Sequence, residues 1–228
     1  SRPLPPCPSP LAILYHSTMR WVIGDIHGML RPLEALVRAI DRADPDRRLI
    51  FVGDYVNRGP DSKGVIDLLI SLPAAVCLRG NHDDIFDEVL SGQSYAGKPG
   101  EEHRAMSFKW FMQHGLDKTL ASYGISASEM QRALRHPTGA RLDELMAPVP
   151  AAHRQFIRDL QPVLEMDDLF VAHAKWDINT PTQSPSIAER LKSSEVLRYA
   201  IVWGRYTADE VRAEKMWERT GYCGHTQA

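Results

Sequence analysis

The chain has 228 residues, 43% of them hydrophobic and 25% charged, with a formal net charge of -2; this fits one soluble globular domain with a sizeable core. That balance leaves no basic stripe for nucleic acid or an anionic membrane surface, and no apolar run approaches the ~20 residues that span a bilayer. Cys7, Cys77 and Cys223 are far apart, odd in number and form no C-x-x-C pair, which excludes a disulfide framework or zinc ribbon and suits reduced thiols in the cytoplasm.

Residues 1–10 carry five prolines, so 1–18 are expected to be a disordered or non-native extension ahead of Met19, the first plausible initiator. The domain is expected over 19–228. Continuous apolar runs at 21–23, 49–52, 75–78 and 169–172 read as strands buried on both faces. Between the first two, Leu33, Leu36, Val37 and Ile40 recur with helical period over 30–43, and Pro32 suits a first turn. Ser62 can N-cap a second helix through Val65, Ile66, Leu69 and Ile70. Alternating strands and helices imply a largely parallel sheet with functional groups at the strands' carboxyl ends.

From about residue 85 to 162 the pattern predicts a helical insertion, with helices over 106–114, 116–123, 127–134 and 151–160. Strand character resumes at 201–203 and 222–223, with a charged helix over 208–218 between. Cys77 and Cys223 lie in strand-like runs and are expected to be buried small hydrophobes. His16, His103, His114, His136 and His153 lie in polar or helical surroundings and are expected to be solvated.

Five segments end apolar runs in oxygen- or nitrogen-bearing side chains. They are Gly24-Asp25-Ile26-His27-Gly28, Gly53-Asp54-Tyr55-Val56-Asn57-Arg58-Gly59, Arg79-Gly80-Asn81-His82-Asp83, Val171-Ala172-His173-Ala174 and Gly224-His225-Thr226. Asp25 and His27, two apart at a strand end, can lean to one side and hold one cation. Asp54, with two carboxylate oxygens, suits a bridge between two. The amide oxygen of Asn81 and the imidazoles of His173 and His225 complete a second site. Mixed nitrogen and oxygen donors favour Mn, Fe or Zn over Mg or Ca. Singly, each motif has a duller reading as a turn, a cap or a loop charge; their conjunction and order carry the inference.

The expected chemistry is metal-assisted hydrolysis of a phosphoester. Two divalent ions outweigh Asp25, Asp54 and a bridging hydroxide, so the site attracts a phosphate dianion, with Arg58 and Arg205 adding planar donor forks. Metal binding lowers the pKa of water from 15.7 to about 7, which supplies a nucleophile for in-line attack. His82, beside Asn81 but pointing elsewhere, is the candidate general acid for the leaving oxygen.

In order and spacing these motifs resemble the phosphoprotein phosphatase family of binuclear metallophosphoesterases. Gly53–Ser62 and Cys77–Asp83 are especially similar to its bacterial serine/threonine phosphatases. The resemblance implies an α/β (four-layer α+β) calcineurin-like fold, a sandwich of two mixed sheets flanked by helices. It implies Asp25, His27 and Asp54 on one metal, and Asp54, Asn81, His173 and His225 on the other. Mn²⁺ is the leading expectation for the pair, with Fe or Zn as alternatives. Arg58 and Arg205 match phosphate-binding arginines, and His82 the general acid.

Three departures stand out. Asn57 occupies the place of the Asp that orients the acid His. Asp83 follows Asn81-His82 where eukaryotic members carry Glu. Family members also continue past the Gly-His-Thr segment, so the C-terminal strands are expected to be truncated. The leading expectation is a serine/threonine protein phosphatase acting on phosphorylated proteins or small phosphoesters. The alternatives are a diadenosine tetraphosphatase, favoured by Asn57 and Asp83, and a catalytically weak phosphoprotein-binding module.

Overall fold

The computed structural model describes residues 19–97, 100–177, 180–212 and 218–225; Cys7, His16, Thr226 and the expected extension over 1–18 lie outside them. Strands β1 (Arg20–Ile23), β2 (Arg48–Phe51) and β3 (Val76–Cys77) form a parallel sheet in that order. Helix α1 (Leu30–Ala43) joins the first two and α2 (Ser62–Ser71) the next two. In a second sheet, β4 (Val163–Glu165) runs antiparallel to β5 (Leu169–Ala172), and β6 (Thr220–Tyr222) runs parallel to β5 on its other side.

Strand alternation explains how the layers stack. Along β2, Leu49 and Phe51 face the large helical core, while Ile50, and Val52 just past the strand, face the other way. On β5, Leu169 and Val171 meet Ile50, Val52, Leu78 and Leu164 between the sheets, while Phe170 and Ala172 face an outer cluster. A period of two thus sends one half of each strand into the seam and the other against helices. Each aliphatic side chain buried there is worth about 1.5–3 kcal/mol. The result is the expected helix–sheet–sheet–helix sandwich, with one sheet wholly parallel among the described residues and the other mixed.

The insertion is helical, as expected, and begins earlier than residue 85. It comprises α3 (Asn81–Ser91), α4 (Glu101–Met112), α5 (Leu116–Ser122), α6 (Ala127–Arg135), α7 (Gly139–Met146) and α8 (Ala151–Arg158). Helix α3 is buried on every side despite four acidic residues. Arg79 makes this tolerable: its guanidinium bonds Asp84 and Asp87 at 3.2 and 3.1 Å and the Ile157 and Arg158 carbonyls at 2.9 Å. Beyond β5 lie α9 (Ile187–Ser193), α10 (Glu195–Trp203) and α11 (Ala208–Arg212). Among the described residues no helix is long and apolar enough to cross a membrane.

Several expectations need correction. Residues 201–203 are not a strand; they end α10, which Ser194 caps by accepting from the Leu197 amide. A three-residue Ile-Val-Trp run has no period of its own, so the cap and the upstream Leu197 and Ala200 decide. Ser62 is not the N-cap of α2: Asp61 is, accepting from Gly64 at 2.8 Å. The charged helix after Ala208 is described only as far as Arg212. Leu36 faces solvent rather than core. Cys77 is half-buried and Cys223 exposed. His153 is buried, held between Tyr123 and Asp67 at 2.9 Å each, and His103 pairs with buried Glu88; His114 and His136 are exposed.

Candidate metal centre

Loops at the carboxyl ends of β1, β2 and β5, the start of α3 and the turn after β6 converge on one spot. Their backbones are unusual. Six non-glycine residues are described with positive φ, and five of them (His27, Asp54, Asn57, Arg58 and His225) belong to this centre. Strained conformations of this sort persist where surrounding contacts over-determine them. Asp83 supplies many of those contacts, accepting from the backbone amides of Asp54 (2.7 Å), Tyr55 (2.9 Å) and Gly80 (3.0 Å). A side chain at Gly80 would overlap the Asp54 carboxylate and amide, so glycine is required where these two loops touch.

Asp54 is almost fully buried, and its Oδ1 accepts the His82 amide at 2.9 Å, at the positive end of α3. His27 Nε2 lies 3.5 Å from Asp54 Oδ2 and 3.9 Å from Asp25 Oδ2. Its Nδ1–H donates to the Val56 carbonyl, so the Nε2 lone pair points at the carboxylates. His173 is oriented in the same way: Nδ1–H donates to Val52, and Nε2 faces Asn81 Oδ1 (3.1 Å), His225 Nδ1 (3.2 Å) and Asp54 Oδ1 (3.5 Å). Asn81 Oδ1 also lies 3.0 Å from His225 Nδ1. One ring proton on His225 can satisfy only one of these acceptors.

The electrostatics agree with a cation at this place. Burial lowers His27, and brings both His173 and His225 down to about 4, which keeps their rings neutral with lone pairs available. Burial, reinforced by the Asp25 charge, raises Asp54 well above the usual carboxylate range. His27 Nε2 and His225 Nε2 are buried without a hydrogen-bond partner. Converging acceptors, orphaned ring nitrogens and adjoining carboxylates repel one another unless a positive ion lies among them. The residues present therefore fit divalent metal.

Two tight donor groups occur, His27 with Asp54 and His82, and Asp54 with His173 and His225, each with ligand atoms within 4.8 Å of one another. Asp54 belongs to both groups. Asp25 sits just outside, its Oδ1 accepting the His225 amide at 3.2 Å. His82 is geometrically eligible as a ligand, but its surroundings argue otherwise. Its Nδ1 meets Asn57 Nδ2 at 2.9 Å and its Nε2 meets Arg58 Nη2 at 3.3 Å. A guanidinium there repels a cation. Burial, then the His27 and Arg58 charges, push His82 down to about 2.

Sequence reasoning missed what orients Asn57. Its Oδ1 accepts from Thr119 Oγ1 (2.9 Å), and its backbone N–H donates to Thr119 Oγ1 (2.8 Å) and Ser62 Oγ (3.2 Å). With the amide placed this way, Ser62 donates to Thr119, Thr119 donates to Asn57, and every hydroxyl is used. The reverse placement turns Thr119 toward Ser62 and leaves the Ser62 proton without an acceptor in this network. Thr119 lies 62 residues from Asn57 in an otherwise ordinary amphipathic helix, so no local signal marks it. Arg58 is exposed, with its backbone N–H donating to Gly115 at 3.3 Å. Arg205 is exposed just beyond α10 and close enough to add to the lowering of His225.

Residues 20–204 match the model of the calcineurin-like phosphoesterase family. The chain belongs to that family. Calcineurin-like phosphoesterases use divalent metal ions, in keeping with the donor set above. Over 84 residues the chain is 43% identical to a symmetrical bis(5'-nucleosyl)-tetraphosphatase of Legionella pneumophila, a match covering 36% of this chain and 29% of that protein. A relative of the same name from Coxiella burnetii is 44% identical over 63 residues, 28% of this chain and 22% of its own length. The chain thus spans under a third of the curated relatives it matches. Among solved structures, a Saccharomyces cerevisiae protein serine/threonine phosphatase aligns with 16% identity and a TM-score of 0.40, covering 87% of this chain and 48% of that one.

Proposed function

We propose that the chain hydrolyses a phosphoanhydride, with dinucleoside tetraphosphates as the substrate class, in preference to phosphoserine or phosphothreonine. The contact between Asn57 Nδ2 and His82 Nδ1 carries this reading. An amide N–H donating to Nδ1 leaves the ring's own proton on Nε2, and it opposes the second proton that would make an imidazolium. His82 then donates a hydrogen bond but is a poor source of a whole proton. A serine alkoxide is strongly basic and needs that proton to depart. A terminal phosphate, with its second pKa near 6, leaves as an anion without one. The substrate named for the bacterial relatives is of this second kind.

Asp25, His27, Asp54, Asn81, His173 and His225 would hold the divalent ions, which would supply Lewis acidity and an activated water. Arg58 Nη2 stands 3.3 Å from His82 Nε2, a contact in which the guanidinium can only donate. With the ring proton on Nε2 the two no longer bond each other, and a phosphoryl oxygen lying against both would accept from each. Arg205 adds positive charge on the His225 side. Manganese is the metal we would load first.

The test compares kcat/KM on diadenosine tetraphosphate and on a phosphoserine peptide, with Mn²⁺, for the natural chain and for Asn57→Asp. The natural chain should prefer the tetraphosphate. The variant should gain about 10² on the peptide relative to the tetraphosphate, the usual size of a general-acid contribution. A natural chain that prefers the peptide would restore the protein-phosphatase reading. Retained Mn²⁺ and phosphate binding with no turnover of either substrate would favour the phosphoprotein-binding module.

A further inference from the structure

One flank of the centre carries a row of aromatic rings that the chemistry above leaves unused. Phe111 packs edge-on against His82 at 5.0 Å and against Trp203 at 6.1 Å. Trp203 lies nearly parallel to Trp110 (6.2 Å, 20°) and to Tyr199 (6.2 Å, 9°). Trp110 turns back onto Phe111 at 5.1 Å. The rings come from two helices, α4 and α10, and one turn of spacing puts Tyr199 and Trp203 on the same face. Trp110 is 52% exposed and Tyr199 56%, so a continuous aromatic surface meets water beside the phosphate donors.

We infer that this surface is a nucleobase subsite: the base of a nucleotide whose phosphate lies at Arg58 and His82 stacks on Trp110, backed by Trp203 and Tyr199. The inference rests on the phosphoanhydride reading and specifies which part of the substrate the chain grips. Trp110 is two ring contacts from His82, through Phe111 at 5.1 and 5.0 Å, which leaves room for a sugar between phosphate and base. The junction after α4 links the two subsites mechanically, because Gly115 there accepts the Arg58 amide. Base–aromatic stacking tolerates any base, since each has a π face. The subsite should therefore hold nucleotides without strict discrimination between their bases.

The experiment uses the Mn²⁺-loaded chain and two phosphoanhydrides, diadenosine tetraphosphate and inorganic tripolyphosphate, which has no base. Trp110→Ala should lower the ratio of kcat/KM on the first to that on the second by about tenfold, mostly through KM. Trp110→Phe, which keeps a ring, should recover most of it. AMP titrated against tryptophan fluorescence should bind the Trp110→Ala chain about tenfold more weakly than the natural one. An unchanged ratio together with unchanged AMP affinity overturns the inference. Cleavage of tripolyphosphate with no preference for the dinucleotide removes the base subsite and leaves the phosphoanhydride reading standing. Cleavage of neither, with AMP binding that still depends on Trp110, does the reverse.

Discussion

The two halves of the centre are held by different means. After β2 and at the start of α3, Asp54, Asn57, Asn81 and His82 are buried, in a loop and a helix start cross-tied by Asp83, Thr119 and Ser62. His225 follows β6, whose Thr220 and Tyr222 are exposed. Two contacts tether its backbone: Gly224 N–H to the His173 carbonyl at 2.8 Å, and its own N–H to Asp25 at 3.2 Å. The first half is preorganised by the fold, whereas the second, with two backbone tethers, is the half that a bound ion would order. Metal should therefore matter little to the shape of one half and a great deal to the other.

Asp83→Ala removes the brace of the rigid half. It leaves three buried backbone N–H groups without their acceptor, at about 1–3 kcal/mol each when wholly unsatisfied. We expect a loss of about 3 kcal/mol or more in urea unfolding, with the Asp54 loop collapsing before any metal is added. A loss under about 1 kcal/mol would show that the loop holds its strained φ values by other means.

His225→Ala tests the other half. Stability of the metal-free chain should change by under about 1 kcal/mol, because few contacts are lost. Mn²⁺ affinity should fall by more than the 10–100-fold typical of outer-shell changes. The rise in Tm on adding Mn²⁺ reports this directly, since ligand binding stabilises by mass action. An unaltered Mn²⁺-induced shift would remove His225 from the centre.

The same contrast explains what could be read from the sequence. Strands β1, β2, β3 and β5, most helices and the donor residues were legible because most of the motifs end apolar runs, and β2 in particular shows its two faces in four residues. Strand β4 was not read, and β6, with Thr220 and Tyr222 exposed, is no buried run. The donors also carry their chemistry in their names, and His173 and His225 do converge with Asp54. What was illegible is relational. That Asp83 is a brace and not a catalyst depends on three amides donated by neighbours brought close by folding. That Asn57 presents nitrogen to His82 depends on Thr119. The strand read at 201–203 failed because β-branched character is a weak local preference, which the Ser194 cap and the packing of α10 against β5 outweigh. The same error hid the aromatic row, because Tyr199 and Trp203 share a face only on a helix.

Thr119→Val loosens the rigid half at intermediate cost. The methyl keeps the shape, but Asn57 Oδ1 loses its donor and the Asn57 amide keeps only Ser62, at 3.2 Å. We expect about 1–2 kcal/mol of destabilisation. The side-chain amide is then free to turn its oxygen toward His82, which should narrow the preference for tetraphosphate over phosphopeptide. A preference as strong as in the natural chain would mean that something other than Thr119 orients Asn57.

The smallest effect belongs to the outer edge of the rigid half. Asp67 on α2 accepts from Lys63 at 2.7 Å and from His153 on α8 at 2.9 Å. The Lys63 hydrogen bond, with His153 helping against partial burial, holds its carboxyl below the ordinary value of 3.8. A depressed carboxyl contributes stability above its unfolded pKa and loses it as the pH falls through the folded one. Because Asp67 is half-exposed, solvent screening limits the contribution to under about 1 kcal/mol. Asp67→Asn should thus cost a few tenths of a kcal/mol at pH 7, and the difference should shrink as the pH is taken below 3.8. Urea midpoints of the two chains at both pH values decide it: a gap that persists in acid would assign the effect to packing of His153 and not to charge.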